Sequence, residues 1–315
     1  MRPHQKLTGY ILAALAAAAY GTNPAFAIPL YEQGLNPTSV LLFRYVLSLP
    51  MLAAMIAVRG MGFRLKRNEI GPVAILGMLM SLSSLGLFAS YEYLNSGIAS
   101  TLLFIYPVLV AIMMIFIYHE KFKPSLAVCL ALMIAGLLML MDAGPGARIS
   151  TYGVLLVILS SVTYAIYIVM VNVSPTIRGI PTTRLLFYLI AWGSLLFIGS
   201  IAVGTPLTLP KQPSNWINLI CLAALPTVLS LWCTTRAIQL IGSTPTAIFG
   251  ALEPVTAVLL SVLVLDQTIT GRDILGATLI VAATTIVISA RPVDALLLHV
   301  RKLFPRRRKS HPDNV

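Results

Sequence analysis

Apolar runs of about 20 residues, separated by short polar breaks, recur ten times along the chain, at about 7–29, 37–58, 70–91, 97–118, 124–141, 151–173, 183–204, 215–236, 244–265 and 271–290. Runs of this length match a hydrocarbon core roughly 30 Å thick. They lack the period-two alternation of a membrane barrel strand. In lipid each run must satisfy its own backbone hydrogen bonds, so each is expected to be a helix. The pattern predicts an all-α membrane protein of ten transmembrane helices, with no loop long enough to form a soluble domain.

The runs also repeat. Pro37-Thr38-Ser39-Val40-Leu41-Leu42-Phe43 returns 144 positions later as Pro181-Thr182-Thr183-Arg184-Leu185-Leu186-Phe187. The same offset pairs Gly9 with Gly153, Leu12 with Leu156, Leu15 with Leu159 and Tyr20 with Tyr164. Farther along, Tyr106-Pro107-Val108 matches Glu253-Pro254-Val255 at an offset of 147. The expected organisation is a first five-helix repeat over 1–142, a loop over 143–149 that carries Gly144-Pro145-Gly146, a second repeat over 150–291, and a basic tail over 292–315.

Composition agrees. The chain is 58% hydrophobic and 10% charged, against about 25% charged in soluble domains, and its mean hydropathy is +0.89. The net charge of +12 could suggest nucleic acid, but the distribution argues for topology. With the N-terminus in the cytoplasm, the cytoplasmic segments hold Arg2, Lys6, Arg59, Arg64, Lys66, Arg67, Lys121, Lys123, Arg178, Arg184, Arg236, Arg291, Arg301, Lys302, Arg306, Arg307, Arg308 and Lys309. The outer loops hold only Arg148, Lys211 and Arg272, which is a strong positive-inside bias. Both termini are therefore expected in the cytoplasm of an inner membrane, with the tail beside anionic lipid. No nucleic-acid module is present. Arg2 and Lys6 before an apolar run that reaches Ala25-Phe26-Ala27 resemble a signal peptide, but the run is long and its repeat partner is a membrane helix, so retention is expected.

Five spans per repeat is an odd number, so the second copy enters the membrane from the opposite face. Two inverted repeats around a central cavity imply alternating access to a site near the midplane.

A few residues are costly where they stand. A carboxylate at the bilayer centre, such as Glu253, costs about 2.5–3.5 kcal/mol. It must face a cavity, pair with a cation or be protonated; substrate-ammonium recognition, proton coupling and plain structural burial are all compatible with that. Pro254 removes a backbone donor beside it and frees a carbonyl a turn earlier, which could contact a substrate or simply permit a kink. Arg44, two turns inside the second span, could bind a substrate carboxylate, pair with Glu92 or snorkel outward. Asn23 is a polar group deep in the first span, where the small residues of Gly21-Thr22-Asn23-Pro24 and the proline could open the helix locally. Tyr20, Tyr106, Tyr164, Tyr167, Tyr188, Trp192 and Trp232 fall at cavity depth, although most membrane aromatics are packing or interface anchors. The candidate substrate-binding set is Glu253, Arg44, Tyr20, Asn23, Tyr106, Tyr164, Tyr167 and Trp232. Cys129, Cys221 and Cys233 show no metal spacing, and neither a metal nor a cofactor is expected.

These residues resemble the drug/metabolite transporter superfamily, in its EamA-type branch of ten-helix carriers. The resemblance rests on Gly9 with Tyr20-Gly21-Thr22-Asn23, Arg44, Tyr106-Pro107-Val108, His119-Glu120, Leu252-Glu253-Pro254-Val255-Thr256-Ala257 and Gly276. It departs at Asp266-Gln267, where members often carry a Glu. The resemblance implies an inner-membrane carrier that exports or exchanges amino acids and related metabolites, and it does not choose the substrate. The expected function is thus a secondary transporter. The alternatives are a membrane-embedded enzyme acting on lipid or isoprenoid substrates, or a facilitative channel. No HExxH or phosphate-loop motif is present, and no catalytic residue can be named.

Overall fold

The computed structural model describes residues 3–91, 93–94, 96–121, 123–140, 150–265 and 270–288. Among these every regular element is helical. The first half holds α1 (Pro3–Gly21), α2 (Asn23–Glu32), α3 (Pro37–Val58), α4 (Arg67–Ser90), α5 (Ser96–Leu103), α6 (Tyr106–Phe116) and α7 (Pro124–Leu140). The second holds α8 (Thr151–Val173), the short α9 (Pro175–Arg178), α10 (Thr182–Ala202), α11 (Pro213–Leu222), a π-helical turn (Ala223–Leu229), α12 (Ser230–Ile241), α13 (Ser243–Gly250), α14 (Leu252–Leu265) and α15 (Gly271–Ile288).

Among the described residues eight helical stretches are long and apolar enough to cross a membrane, and two further apolar helices, Thr101–Phe116 and Pro124–Leu140, are shorter. Three of the ten expected spans are interrupted. The first run breaks at Thr22, the fourth at Phe104–Ile105 and the ninth at Ala251. In each case a proline follows within three residues and so falls in the first turn of the next helix, where its missing N–H costs nothing. Pro254 therefore restarts a helix instead of kinking one. Ala25-Phe26-Ala27 lies within helical α2. The Gly144-Pro145-Gly146 loop, Glu92, Asp266-Gln267 and the basic tail lie outside the described residues.

The halves pack by exchanging partners. α1 lies on α12 and α4 lies on α8; α3 pairs with α10 and α7 with α15. Taking α1 to α8 and α4 to α12 maps the first contact onto the second, as a pseudo-two-fold axis requires. The equivalence reaches single atoms. A Cβ on Gly9 would stand 2.4 Å from Ile241 and 3.1 Å from Leu240, and one on Gly153 would stand 2.7 Å from Leu94 and 2.9 Å from Tyr93. Gly9 and Gly153 are 144 apart, and Tyr93-Leu94 and Leu240-Ile241 are 147 apart. Likewise Ser230 donates to the Ala16 carbonyl at 3.0 Å, while its counterpart Ser83 shares a 3.1 Å hydrogen bond with Ser160, the counterpart of Ala16. Without a hydrophobic drive between helices in lipid, such small-residue contacts and interhelical hydrogen bonds hold the bundle together.

Candidate functional site

Two of the interrupted helices meet at one place. Glu253 lies in the first turn of α14, just past the Ala251 break, and Tyr106 opens α6 just past the Ile105 break. The third break approaches them: a Cβ on Gly21, at the end of α1, would stand 2.7 Å from the Glu253 carbonyl oxygen and 2.8 Å from Thr256 Cβ. Only glycine lets the two backbones approach this closely. Glu253 thus sits at the positive end of a short helix, an arrangement worth up to about 2 kcal/mol to a carboxylate in partly buried settings.

The Glu253 side chain is half-buried and lines two small cavities. One, of 20 Å³, is shared with Tyr20, Tyr106, Tyr164 and Ser83. The other, of 10 Å³, is shared with Tyr106, Tyr164, Thr234, Thr246 and Gly250. Each is about the size that holds a single water. The rings are ordered by contact. Tyr106 meets Tyr164 edge-on with centroids 4.8 Å apart, and Tyr164 stacks on Tyr167 at 5.9 Å. The Tyr106 hydroxyl donates to the Ala247 carbonyl at 3.3 Å, and the Tyr167 hydroxyl pairs with Thr235 Oγ1 at 3.3 Å.

Arg44 is only 3% exposed. Its Nη2 donates to the Pro226 carbonyl at 3.2 Å, its Nε donates to Thr227 Oγ1, and its guanidinium lies 5.7 Å from the Tyr20 ring centroid. It is therefore next to the cavity through Tyr20 and not among the residues that line it. Asn23 follows the Thr22 break, with its Oδ1 buried and unpartnered among the described residues. Trp232 lines neither Glu253 cavity, and Arg59, which caps the end of α3, lies over its ring at 5.5 Å. Tyr188, also placed at cavity depth by its position in the run, instead donates to the Phe63 carbonyl at 2.6 Å on an exposed face. Reading the sequence missed Ser83, Thr234, Thr246 and Gly250 as cavity neighbours, and Pro226-Thr227 as the partners of Arg44. A proline inside the eighth apolar run was the one available signal.

A separate vestibule of 920 Å³ opens at the end that carries Lys6, Lys121, Lys123 and Arg178. Tyr10, Asn172, Glu120 and Thr244 also line it. In its wall Tyr10 stacks on Phe249 with centroids 5.6 Å apart, Asn172 donates to Ser243 at 3.1 Å, and Thr244 donates to Glu120 at 3.4 Å.

Similar halves, partner exchange across them and broken helices that converge on a half-buried carboxylate describe a duplicated, multi-pass membrane protein. The model of the EamA-like transporter family matches residues 7–142 and again 151–289. The chain belongs to this family, and hence to the drug/metabolite transporters, with one family unit in each half. Twenty-nine solved chains match its fold. One of them, titled only as the crystal structure of a protein, has a TM-score of 0.76 at 18% identity and covers 94% of this chain and 99% of its own. At that identity the likeness speaks for the fold alone. A search of curated proteins gives no match.

Proposed function

We propose that the protein is a secondary transporter that exports small organic metabolites, amino acids or related compounds, across the inner membrane by alternating access. Its ten helices act as two inverted five-helix repeats around a central cavity, with both termini in the cytoplasm and the basic tail on anionic lipid. The carrying observation is Glu253. Burial at mid-membrane costs about 2.5–3.5 kcal/mol, and the α14 N-terminus returns at most about 2 kcal/mol. The shortfall is what an ammonium group or a proton supplies on binding. The tyrosine faces of Tyr20, Tyr106 and Tyr164 suit the same cation.

The cavities at Glu253 are far too small for an amino acid, while the 920 Å³ vestibule falls in the range of metabolite sites. This supports reading the structure as closed around the site and open at its cytoplasmic end, the state from which an exporter loads.

The test is flux of an amino-acid and metabolite panel in proteoliposomes, with and without an imposed pH gradient, beside Glu253→Gln. Saturable flux that responds to the gradient and is lost in the variant is expected. Wild-type flux from a folded Glu253→Gln protein would remove Glu253 from the mechanism.

A further inference from the structure

The eighth apolar segment is not a continuous α-helix. α11 ends at Leu222, Ala223–Leu229 form a π turn, and α12 starts at Ser230. Pro226 lies inside the turn and brings no N–H, so nearby carbonyls lack their usual donors. Side chains supply them. Thr227 donates its hydroxyl to the Leu222 carbonyl at 2.7 Å. Arg44 donates to the Pro226 carbonyl at 3.2 Å and to Thr227 Oγ1. Ser48, one turn along α3 from Arg44, donates to the Arg44 carbonyl at 2.7 Å and leans toward the Ala223 carbonyl at 3.4 Å. The π turn is thus completed by two residues of a helix from the other half of the chain.

A π turn carries one residue more than the α-helical path between the same ends, and such turns cluster at functional sites. Its relaxation to α geometry would rotate α12 by about 100° and shift it by about 1.5 Å relative to α11. α12 carries Thr234, which lines the second Glu253 cavity, and Thr235, the partner of Tyr167. A change of register would move both. The bonds from Arg44 oppose it, and the other face of Arg44 rests on Tyr20, itself a wall of the first Glu253 cavity.

We infer that Arg44 is a positioning residue, a clamp that holds the π turn and frees it when Tyr20 is displaced at the Glu253 cavity, so that α12 changes register during transport. The link to transport rests on the function proposed above; the clamp itself does not.

Native thiols report on it. Cys221 precedes the π turn, Cys233 follows it with 1% exposure, and Cys129 lies in α7. The purified full-length protein is labelled with N-ethylmaleimide, and each cysteine is followed by mass spectrometry. In Arg44→Ala the labelling of Cys233 should rise at least about tenfold, the population change that follows loss of one charge-assisted hydrogen bond, while Cys221 and Cys129 keep their wild-type rates. Pro226→Ala restores the missing N–H and should expose Cys233 even with Arg44 in place. Ser48→Ala should act in the same direction but less. Arg44→Lys should restore protection only in part, because one ammonium cannot reproduce the planar fork. Unchanged Cys233 in both Arg44→Ala and Pro226→Ala would overturn the clamp, as would faster labelling of all three thiols together. If Arg44→Ala does not fold, Pro226→Ala and Ser48→Ala decide. No substrate is needed, so an absence of flux would sink the transporter reading and leave the clamp standing, and the reverse holds as well.

Discussion

Gly250 is the position where a single methyl group should do the most to the candidate site. It ends α13 beside the Ala251 break, and a Cβ there would stand 1.8 Å from the Tyr106 hydroxyl and 3.1 Å from its Cζ. The same Cβ would be 3.7 Å from Glu253 Oε1, an ordinary contact. Only Tyr106 has to yield, and it has little room: it is 2% exposed, set against Tyr164 and bonded to Ala247. Overpacking of this kind costs about 1–3 kcal/mol, and losing the hydroxyl bond adds about 0.5–1.5 kcal/mol. The better helix propensity of alanine returns at most about 1 kcal/mol. Gly250→Ala should therefore destabilise by about 1–3 kcal/mol net. It should also push the Tyr106 ring into the 20 Å³ cavity and depress flux. The check is a double-mutant cycle with Tyr106→Phe, read by denaturant unfolding in detergent. Removing the hydroxyl takes away the 1.8 Å clash and leaves the tight 3.1 Å contact, so the double variant should lie within about 1 kcal/mol of Tyr106→Phe alone. Additive losses in the double variant would refute the reasoning, because the clash would then not be with that hydroxyl.

Other substitutions test separate parts of the structure. A Cβ on Gly136 would meet the Gly276 carbonyl oxygen at 2.7 Å, and one on Gly276 would meet the Gly136 carbonyl oxygen at 2.8 Å. Backbone cannot step aside as a side chain can, so Gly136→Val should separate α7 from α15 and lower stability by about 1–3 kcal/mol, seen as a lower unfolding midpoint in detergent. Ser160→Ala removes the pairing with Ser83 and should cost about 0.5–1.5 kcal/mol in the same assay. It should cost less in a Ser83→Ala background, where the side-chain pairing is already gone and only the bond to the Ser83 carbonyl is left to lose. His119 stands at φ 55°, a left-handed conformation that costs a non-glycine residue about 1–2 kcal/mol. His119→Gly should accordingly raise the unfolding midpoint slightly, once the greater freedom of glycine in the unfolded chain is set against the relief.

The sequence by itself determined the solvent, the helical class and the duplication. Runs of apolar residues as long as a bilayer is thick leave no other way to satisfy the backbone. The recurrence of Gly9 at Gly153, 144 positions on, and of Tyr106-Pro107-Val108 as Glu253-Pro254-Val255, 147 positions on, records the two halves directly. Glu253 was also legible, because a carboxylate inside such a run is costly in any fold. Tertiary structure decided the neighbours. Hydropathy reports the medium a helix lies in and not the helix it touches, so the pairing of α1 with α12 and of α4 with α8 left no mark in the runs themselves. The break at Thr22 was foreshadowed by Pro24 and its small neighbours, whereas those at Ile105 and Ala251 were hidden because each half-helix stays apolar through its interruption. Arg44 is the clearest case. Its charge marked it as unusual, but its donors go to Thr227, 183 positions away, and to a carbonyl exposed by a π turn. Backbone groups freed in that way exist only after the chain has folded, and the residue that satisfies them can be known only from the fold.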